Sequence, residues 1–519
     1  MDPVEQHKYS ATLSFDGGDL DCGNGLLLMI RQNLDRLEPG ELLEISSSEI
    51  SVEEDLPAWC RLTNNDLLSW TKKGKQRSYL VCKGRFDESG RESPTDADRM
   101  PALPGRGSKD GAGSDTKPER PGTLPSRRHR EVGIISPFSV MGIGSWPRPA
   151  WLIPYLHKHL EGKISDDEFD NIANDAVRLA VAAQERAGVD LVTDGEQRRD
   201  NYASFVGNRI GGCQLIPITD LLPLVADPEK FQQELQSLDV PADRVRHPAV
   251  TAPLVRKKDI ACNELEFLHS ISDHPAKIAL PGPYLLSRLM WMECISDKVY
   301  ESREELSQAL IPILREEIAD LLERGAALVQ LDEPVLSEVV FTGAKNTRSF
   351  MCGALSERGS TNEELQFAAE LINAVCKGFP TERIGMHICR GNWTPDESTA
   401  LSGSYEPLIS LLNSLEIGTV FLEFCTPRAG EVSVLKDLRK DLRVGLGSVN
   451  PKTRDAESVE SIVRRVETVV EIVGAERLLL VPDCGFATFA DNPVSSAEIA
   501  ERKLRSLHEA SQVLRGRYR

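Results

Sequence analysis

Residues 327–334 read ALVQLDEP and residues 383–389 read RIGMHIC. Each stretch is a short apolar run that ends in polar side chains, and residues 362–377 between them carry the apolar period of an amphipathic helix. A buried strand, a helix and a second buried strand are the pattern of a parallel β-α-β unit. The centre of the chain therefore predicts a parallel sheet.

The same unit recurs on both sides of this stretch. Helical patterns occupy residues 166–187, 303–324 and 458–473, and residues 212–258 break the alternation like an insertion after the second strand. Eight strand-like runs predict a (β/α)8 TIM barrel, with a long doubly wound sheet as the competing α/β reading. The eight runs are FSVMGIGSWP, VDLVTDGEQ, AKIALPGPY, ALVQLDEP, RIGMHIC, TVFLEF, LRVGLGSV and RLLLVPDCG.

The chain divides into three parts by composition. Residues 85–131 are rich in Gly, Pro, Ser and charge with almost no large apolar residue, which predicts a disordered linker. Residues 132–519 form the predicted barrel. Residues 8–84 predict a small two-layer α/β sandwich in the order β-α-β-α-β-β, in which Asp55 caps the second helix and Pro57 lies in its first turn.

Bulk composition excludes several classes of protein. The formal charge of −19 and the pI near 5.1 disfavour nucleic acid and anionic membranes as partners. No apolar run approaches the roughly 20 residues of a membrane helix, and the start MDPVEQHKYS lacks the features of a signal peptide. The eleven scattered cysteines then predict reduced thiols and a cytoplasmic location.

Metal-capable side chains lie at the ends of the predicted strands, where the active site of a (β/α)8 barrel is found. His387 and Cys389 share one face of a strand, because side chains alternate with a period of two. Glu423 and Cys484 follow two other strands. Two thiolates, an imidazole and a displaceable carboxylate suit Zn²⁺, which would convert a bound substrate thiol to a nucleophile.

These motifs resemble the catalytic domain of the cobalamin-independent methionine synthases. IGSWPRP, DGEQRR, LDEP, HIC, FLEF and PDCG occur in the family's order over residues 138–515, as in core-type synthases that lack the duplicated N-terminal barrel. The wider family includes epoxyalkane:coenzyme M transferases. By this resemblance the zinc ligands are His387, Cys389, Glu423 and Cys484. The resemblance also implies that the amino acid thiol is held by Ser145, Glu196 and Asp332, where an anionic pair suits an α-ammonium group.

Two features depart from the family. LGSVNPKTR places Lys452 where the synthases carry a proton-handling histidine, and the N-terminal barrel that helps to grip a polyglutamyl folate is absent. Both features weaken the expectation that methyltetrahydrofolate is the donor and leave a corrinoid protein or an epoxide open. The neighbouring Arg198 and Arg199 offer a further contact for an anionic substrate.

The N-terminal part resembles the TusA/SirA sulfur carriers over residues 11–84, on LDCGNGLLLMIRQNL, LEPGELLEI and EEDLPAWC. In that family a cysteine ahead of the first helix carries a persulfide, and here Cys22 holds its position while Gly23-Asn24-Gly25 replaces Pro-x-Pro. A helix start stabilises a thiolate. The resemblance therefore implies a catalytic role for Cys22 and a persulfide-donating sulfurtransferase as a partner.

The predicted function is zinc-dependent transfer of a methyl or other alkyl group to a small-molecule thiol, with homocysteine to methionine as the leading instance. Addition of a coenzyme M-like thiol to an epoxide, or its reverse, is the rival reaction. A sulfur-delivery module whose barrel only binds a partner is the rival from another class.

Overall fold

The computed structural model describes residues 6–18, 26–49, 52–63, 65–86, 135–217, 246–292, 295–341, 360–392 and 394–518. The chain forms two compact units, residues 1–130 and 131–519. Cys22 and almost all of the predicted linker lie outside the described residues.

The first unit is a four-stranded sheet with two helices. Strand order is β1-β2-β4-β3, with β1 parallel to β2 and the other neighbours antiparallel. Apolar side chains of both helices, including Ile30, Leu34 and Leu56, form one buried cluster with Ile45 and Val81 of the sheet. The elements are β1 (Leu13–Asp16), α1 (Leu27–Asp35), β2 (Leu42–Ser47), α2 (Val52–Leu62), β3 (Asp66–Lys73) and β4 (Gln76–Cys82).

The second helix begins earlier than the sequence predicts. Helix α2 starts at Val52, so Asp55 lies within the helix instead of capping it, and Pro57 is interior. Val52 and Leu56 are both fully buried, one turn apart. Burial of this apolar pair favours one more N-terminal turn, which outweighs the capping preference of Asp55.

The second unit contains a six-stranded parallel sheet in the order β12-β11-β10-β9-β8-β7. Its strands are almost entirely buried, as expected for a parallel sheet that is covered by helices. The strands are β7 (Lys277–Pro281), β8 (Leu328–Asp332), β9 (Ile384–Ile388), β10 (Thr419–Leu422), β11 (Arg443–Val449) and β12 (Leu478–Pro482).

The two remaining predicted strands are present only as isolated parallel bridges. Val140 pairs with Leu480 of β12, Met141 pairs with Leu191, and Val192 pairs with Ala276 beside β7. The shown architecture is therefore a mixed α/β unit with a six-stranded parallel sheet. Closure of these segments into an eight-stranded barrel stays a prediction.

The four helices predicted between strands are confirmed within one residue at each end. The interruption at residues 212–258 contains an antiparallel hairpin of β5 and β6. The further elements are α3 (Leu152–Leu160), α4 (Asp166–Ala187), β5 (Ile210–Pro217), β6 (Arg246–Arg256), α5 (Cys262–Ile271), α6 (Pro283–Met290), α7 (Arg303–Glu323), α8 (Val335–Phe341), α9 (Thr361–Cys376), α10 (Ile409–Ser414), α11 (Val459–Val473) and α12 (Ala497–Arg517). No helix in the described ranges has the length and apolar character needed to cross a membrane.

Candidate metal and substrate site

The predicted site residues lie where parallel strands end. Asp332 is the last residue of β8, and His387 is the second-to-last residue of β9. Cys389, Glu423 and Cys484 follow β9, β10 and β12 within two residues. Because these strands are parallel members of one sheet, their carboxyl ends meet at one edge.

Three of the four predicted metal ligands form a compact buried group. One donor atom from each of Cys389, Glu423 and Cys484 lies within 4.8 Å of the others. The two Sγ atoms are 3.3 Å apart. Two thiolates on one tetrahedral Zn²⁺ would be ~3.8 Å apart, given Zn–S bonds of about 2.3 Å. The group therefore fits a zinc ion after a shift of about half an ångström.

His387 is adjacent to this group but is not a member of it. Its Nδ1 lies 3.0 Å from Oδ1 of Asp332. Its Nε2 is buried and has no hydrogen-bond partner among the described residues. An Nδ1–H that donates to a carboxylate leaves a lone pair on Nε2, which is the usual arrangement of a metal-bound histidine. His387 thus has the chemistry of a fourth ligand.

Cys484 and Glu423 of this group each interact closely with a neighbouring residue. The Cys389 sulfur and burial raise the pKa of the Cys484 thiol, and a bound metal ion would favour its thiolate form. Glu423 is already engaged on both oxygens: Oε1 accepts from the Arg390 backbone N–H at 2.7 Å, and Oε2 is 2.7 Å from Nη2 of Arg428. If the group held a metal ion, a carboxylate with such competing partners would be the ligand most easily displaced.

Lys452 lies beside the same group. Its Nζ donates to the Asp396 carbonyl at 3.3 Å. Burial lowers the pKa of Lys452, while Glu397, Cys389 and Glu423 act against that shift. The structure therefore places a half-buried amine within electrostatic reach of the metal-type ligands.

Glu196 lies in a strained turn near the sheet edge. Gly195 and Glu196 have φ values of +73° and +54°, and a side chain on Gly195 would collide with Trp146. Glu196 is the rarer case, since a non-glycine residue is costly in this region and such strain clusters at functional sites. Its Oε2 is buried without a partner among the described residues. Burial raises the pKa of Glu196 to about 7, with Arg199 opposing and Asp332 adding to the shift.

Ser145 joins the site through the loop that carries Cys484. Its hydroxyl accepts a hydrogen bond from the Ala487 N–H at 3.3 Å. A Cβ on Gly485 would lie 2.1 Å from the Ser145 Oγ, so only glycine permits this approach. The structure thus brings Ser145, Glu196 and Asp332 toward the ligands from three different segments.

The expectation that Arg198 and Arg199 meet an anionic substrate is wrong. Arg199 is 2% exposed and forms a paired contact with Glu264, with Nη2 to Oε2 at 2.6 Å. Arg198 is also buried and bonds to Asp170 and Asn174. Both guanidinium groups are thus occupied by protein partners, as buried arginines require.

Several residues of the site were not predicted from the sequence. Arg428 contacts Glu423, and Gln330 donates to Asp332 at 2.7 Å. Lys277, at the start of β7, is fully buried. Burial lowers the pKa of Lys277 to about 7, and the charges of Asp332 and Glu196 oppose that shift. Among these, only the lysine that opens the apolar run AKIALPG is unusual enough in the sequence to attract notice.

Comparisons with known proteins cover the second unit. The model of the family described as "Cobalamin-independent synthase, Catalytic domain" matches residues 138–503. Over 374 residues the chain is 28% identical to a methionine synthase of Saccharolobus islandicus and 26% identical to one of Saccharolobus solfataricus. Each alignment covers 72% of this chain and 93% of the relative.

Two solved structures show the same fold. A B12-independent methionine synthase from Shewanella sp. W3-18-1, in complex with selenomethionine, is 21% identical with a TM-score of 0.55, over 74% of this chain and 99% of that one. A protein from Listeria monocytogenes, described as a vitamin-B12-independent methionine synthase, is 23% identical with a TM-score of 0.52, over 73% of this chain and 98% of that one. Since the family model spans well over half of the sequence, the chain belongs to the cobalamin-independent synthase catalytic-domain family, a family of methyltransferases.

Proposed function

We propose that this protein is a zinc-dependent methyltransferase that converts homocysteine to methionine. The observation that carries the proposal is the buried group of Cys389, Glu423 and Cys484, with His387 beside it, at the edge of the parallel sheet. The proposal includes closure of the second unit into a (β/α)8 barrel, in which the segments bridged at Val140 and Val192 supply the two remaining strands.

When bound, zinc lowers the pKa of a substrate thiol and makes it nucleophilic at neutral pH. The chain's own residues position the rest of the molecule. Glu196 and Asp332 accept from the α-ammonium group, and Ser145 offers a hydroxyl to the same substrate. Of the residues that would hold zinc, Glu423 would be the weakest ligand, because the Arg390 N–H and Arg428 already engage both of its oxygens. The new S–C bond replaces the donor–C bond, and the thiol proton passes to solvent or to the leaving donor.

The identity of the donor is tied to Lys452. An amine in place of a histidine near the ligands suits a donor or thiol with an anionic group. Methyltetrahydrofolate is the donor that the family resemblance implies, and a methyl-corrinoid protein is the alternative. The same amine supports a second candidate, in which a coenzyme M-like thiol, whose sulfonate needs a cation, adds to an epoxide.

We further propose that the first unit is a sulfur carrier of the TusA/SirA type that receives persulfide from a sulfurtransferase at Cys22. Its support is the sheet with two helices packed on one face. Thiolate ligands and a persulfide both require a reducing compartment, so the proposal includes a cytoplasmic location.

The test begins with metal analysis of the purified full chain, where we expect about one equivalent of zinc, as for a single tetrahedral site. Cys389→Ala and Cys484→Ser should lose zinc and activity together while circular dichroism stays unchanged. Cys213→Ser, a half-buried cysteine of the hairpin, is the matched control and should keep both. Less than about half an equivalent in the wild type, or full zinc binding by both ligand variants, would refute the zinc site.

The donor is tested separately with a panel of methyltetrahydrofolate, a methyl-corrinoid protein and an epoxide, each with homocysteine and with coenzyme M. Methionine formed from homocysteine supports the proposal. Turnover of coenzyme M with the epoxide alone favours the second candidate.

A further inference from the structure

A lysine is buried beneath the proposed substrate acids. Lys277 opens β7, is fully buried, and lies with Nζ 4.7 Å from the centroid of the Phe421 ring. A buried lysine without a partner is costly, so its contacts deserve an explanation. Among the described residues, its one side-chain hydrogen bond runs from Nζ to Oε1 of Gln330, at 2.8 Å.

That bond is the first of three in a row. Gln330, on neighbouring strand β8, donates from Nε2 to Oδ1 of Asp332 at 2.7 Å. The same Oδ1 lies 3.0 Å from Nδ1 of His387 on β9. The four side chains thus form a continuous chain that crosses three adjacent parallel strands and ends at the imidazole beside the metal-type ligands.

The chemistry of the groups gives this chain a direction. In its protonated form Lys277 can only donate, and this form fixes the amide of Gln330 with its oxygen toward Lys277. The NH₂ of the amide must then face Asp332, whose carboxylate can only accept. Asp332 in turn selects the tautomer of His387 with the proton on Nδ1. Without the bond to Lys277, the Gln330 amide could flip and point its oxygen at the Asp332 carboxylate. The oxygens would then repel each other, and Asp332 would leave its present position.

We propose that Lys277 is a positioning residue that, through Gln330, orients Asp332 and His387 for metal and substrate. The role has two consequences. Nε2 of His387 is kept as the lone-pair nitrogen, and Oδ2 of Asp332, which makes no hydrogen bond among the described residues, is presented to the substrate. This inference rests on the proposed zinc-dependent function and extends it to residues with no contact to metal or thiol.

The sign of the effect on zinc affinity separates this role from the alternatives. Lys277→Met removes a cation, and a purely Coulombic role predicts tighter zinc binding. A role in packing alone predicts no change. The positioning role predicts zinc binding that is weaker by about tenfold, the lower end of what loss of an outer-shell partner costs. The measurement is competition for zinc with a chelator of known affinity, on the full chain.

A second variant keeps the test independent of how well Lys277→Met folds. Gln330→Leu has similar volume and carries no charge change, and it should weaken zinc by the same factor. The double variant should be no weaker than the weaker single one, because either change breaks the same chain. At saturating zinc, both single variants should raise the KM for homocysteine several-fold with kcat within about twofold.

Lys503→Met is the matched control, because Lys503 is a second fully buried lysine, bonded to Thr453, Asp455 and Glu457. It should lose stability in thermal unfolding but keep zinc affinity. Wild-type zinc affinity in folded Lys277→Met or in Gln330→Leu, or losses that multiply in the double variant, would overturn the inference. A wild-type chain that binds no zinc would instead overturn the proposed function and this inference with it.

Discussion

At the scale of single residues, Glu196 is the acid that we expect to affect substrate binding most. Burial raises its pKa to about 7, so it is mostly protonated at pH 6 and mostly ionised at pH 8. Only the ionised form attracts an α-ammonium group. We expect the dissociation constant of methionine, whose thioether does not titrate, to fall by up to about tenfold between pH 6 and pH 8. Isothermal titration calorimetry at the two pH values measures this dissociation constant.

Glu196→Gln is the control for this pH dependence. The amide keeps the shape of the side chain but cannot ionise, so methionine should bind weakly and equally at both pH values. Wild-type affinity that does not change across this range would show that Glu196 is ionised throughout or does not meet the ammonium group.

The residues found only in the structure share a physical reason for being missed. The strand-end positions of Asp332, His387 and Glu423 follow from a period of two and a parallel sheet, and both can be read from sequence. Lys277 and Arg428 act through contacts between segments that are far apart in sequence. Which lysine or arginine reaches which acid depends on strand register and rotamer, and neither leaves a local pattern.

At the scale of elements, the aromatic ring of Phe421 on β10 packs against glycines of the two neighbouring strands. A Cβ on Gly445 of β11 would lie 2.1 Å from Cδ1 of Phe421, and one on Gly385 of β9 would lie 2.9 Å from its Cε2. Phe421 fills the space that these two strands leave empty. We expect Gly445→Ala to destabilise the second unit by about 1–3 kcal/mol, the usual cost of overpacking, in urea unfolding.

Gly516→Ala provides the comparison for that prediction. Gly516 lies near the end of α12 with nothing within 4 Å of its added Cβ. There the substitution should leave stability unchanged or raise it by up to ~1 kcal/mol, because alanine favours a helix. If Gly445→Ala unfolds at the same urea concentration as the wild type, the ring does not depend on the glycine.

The order of helices and strands was predictable because amphipathic and buried periods are strong in long segments. Helices α4, α7, α9 and α11 begin and end within one residue of their predicted positions. The start of α2 was not, since Val52 and Leu56 extend the helix through burial. The runs at residues 138–147 and 189–197 have strand composition but pair through single bridges. Their backbone departs from regular strand geometry where it carries site residues, and the positive φ of Glu196 is an example.

At the scale of the whole molecule, the family match and the first unit do not overlap. The match spans residues 138–503, and the compact first unit ends at residue 130. All residues proposed to hold metal or substrate belong to the second unit. We propose that the first unit delivers sulfur to that site through the thiol of Cys22; a fusion that merely co-expresses two activities is the alternative.

The composition of residues 85–131 predicts a flexible tether with an r.m.s. reach of roughly 35–40 Å. A tether of this kind raises the effective concentration of one site at the other toward the millimolar range. We therefore expect the outer sulfur of a persulfide on Cys22 to be attacked by a substrate thiolate at the metal site, which forms a substrate persulfide as the labelled product and releases the Cys22 thiolate. The experiment loads the full chain with ³⁴S from a persulfide donor, adds the substrates, and follows labelled product by mass spectrometry. Cys22→Ser should lose the label in the product, whereas Cys213→Ser should keep it.

Equal labelling and equal rates in the wild type and Cys22→Ser would remove the carrier from the proposal. The zinc site would be unaffected by that result, since none of its ligands lies in the first unit.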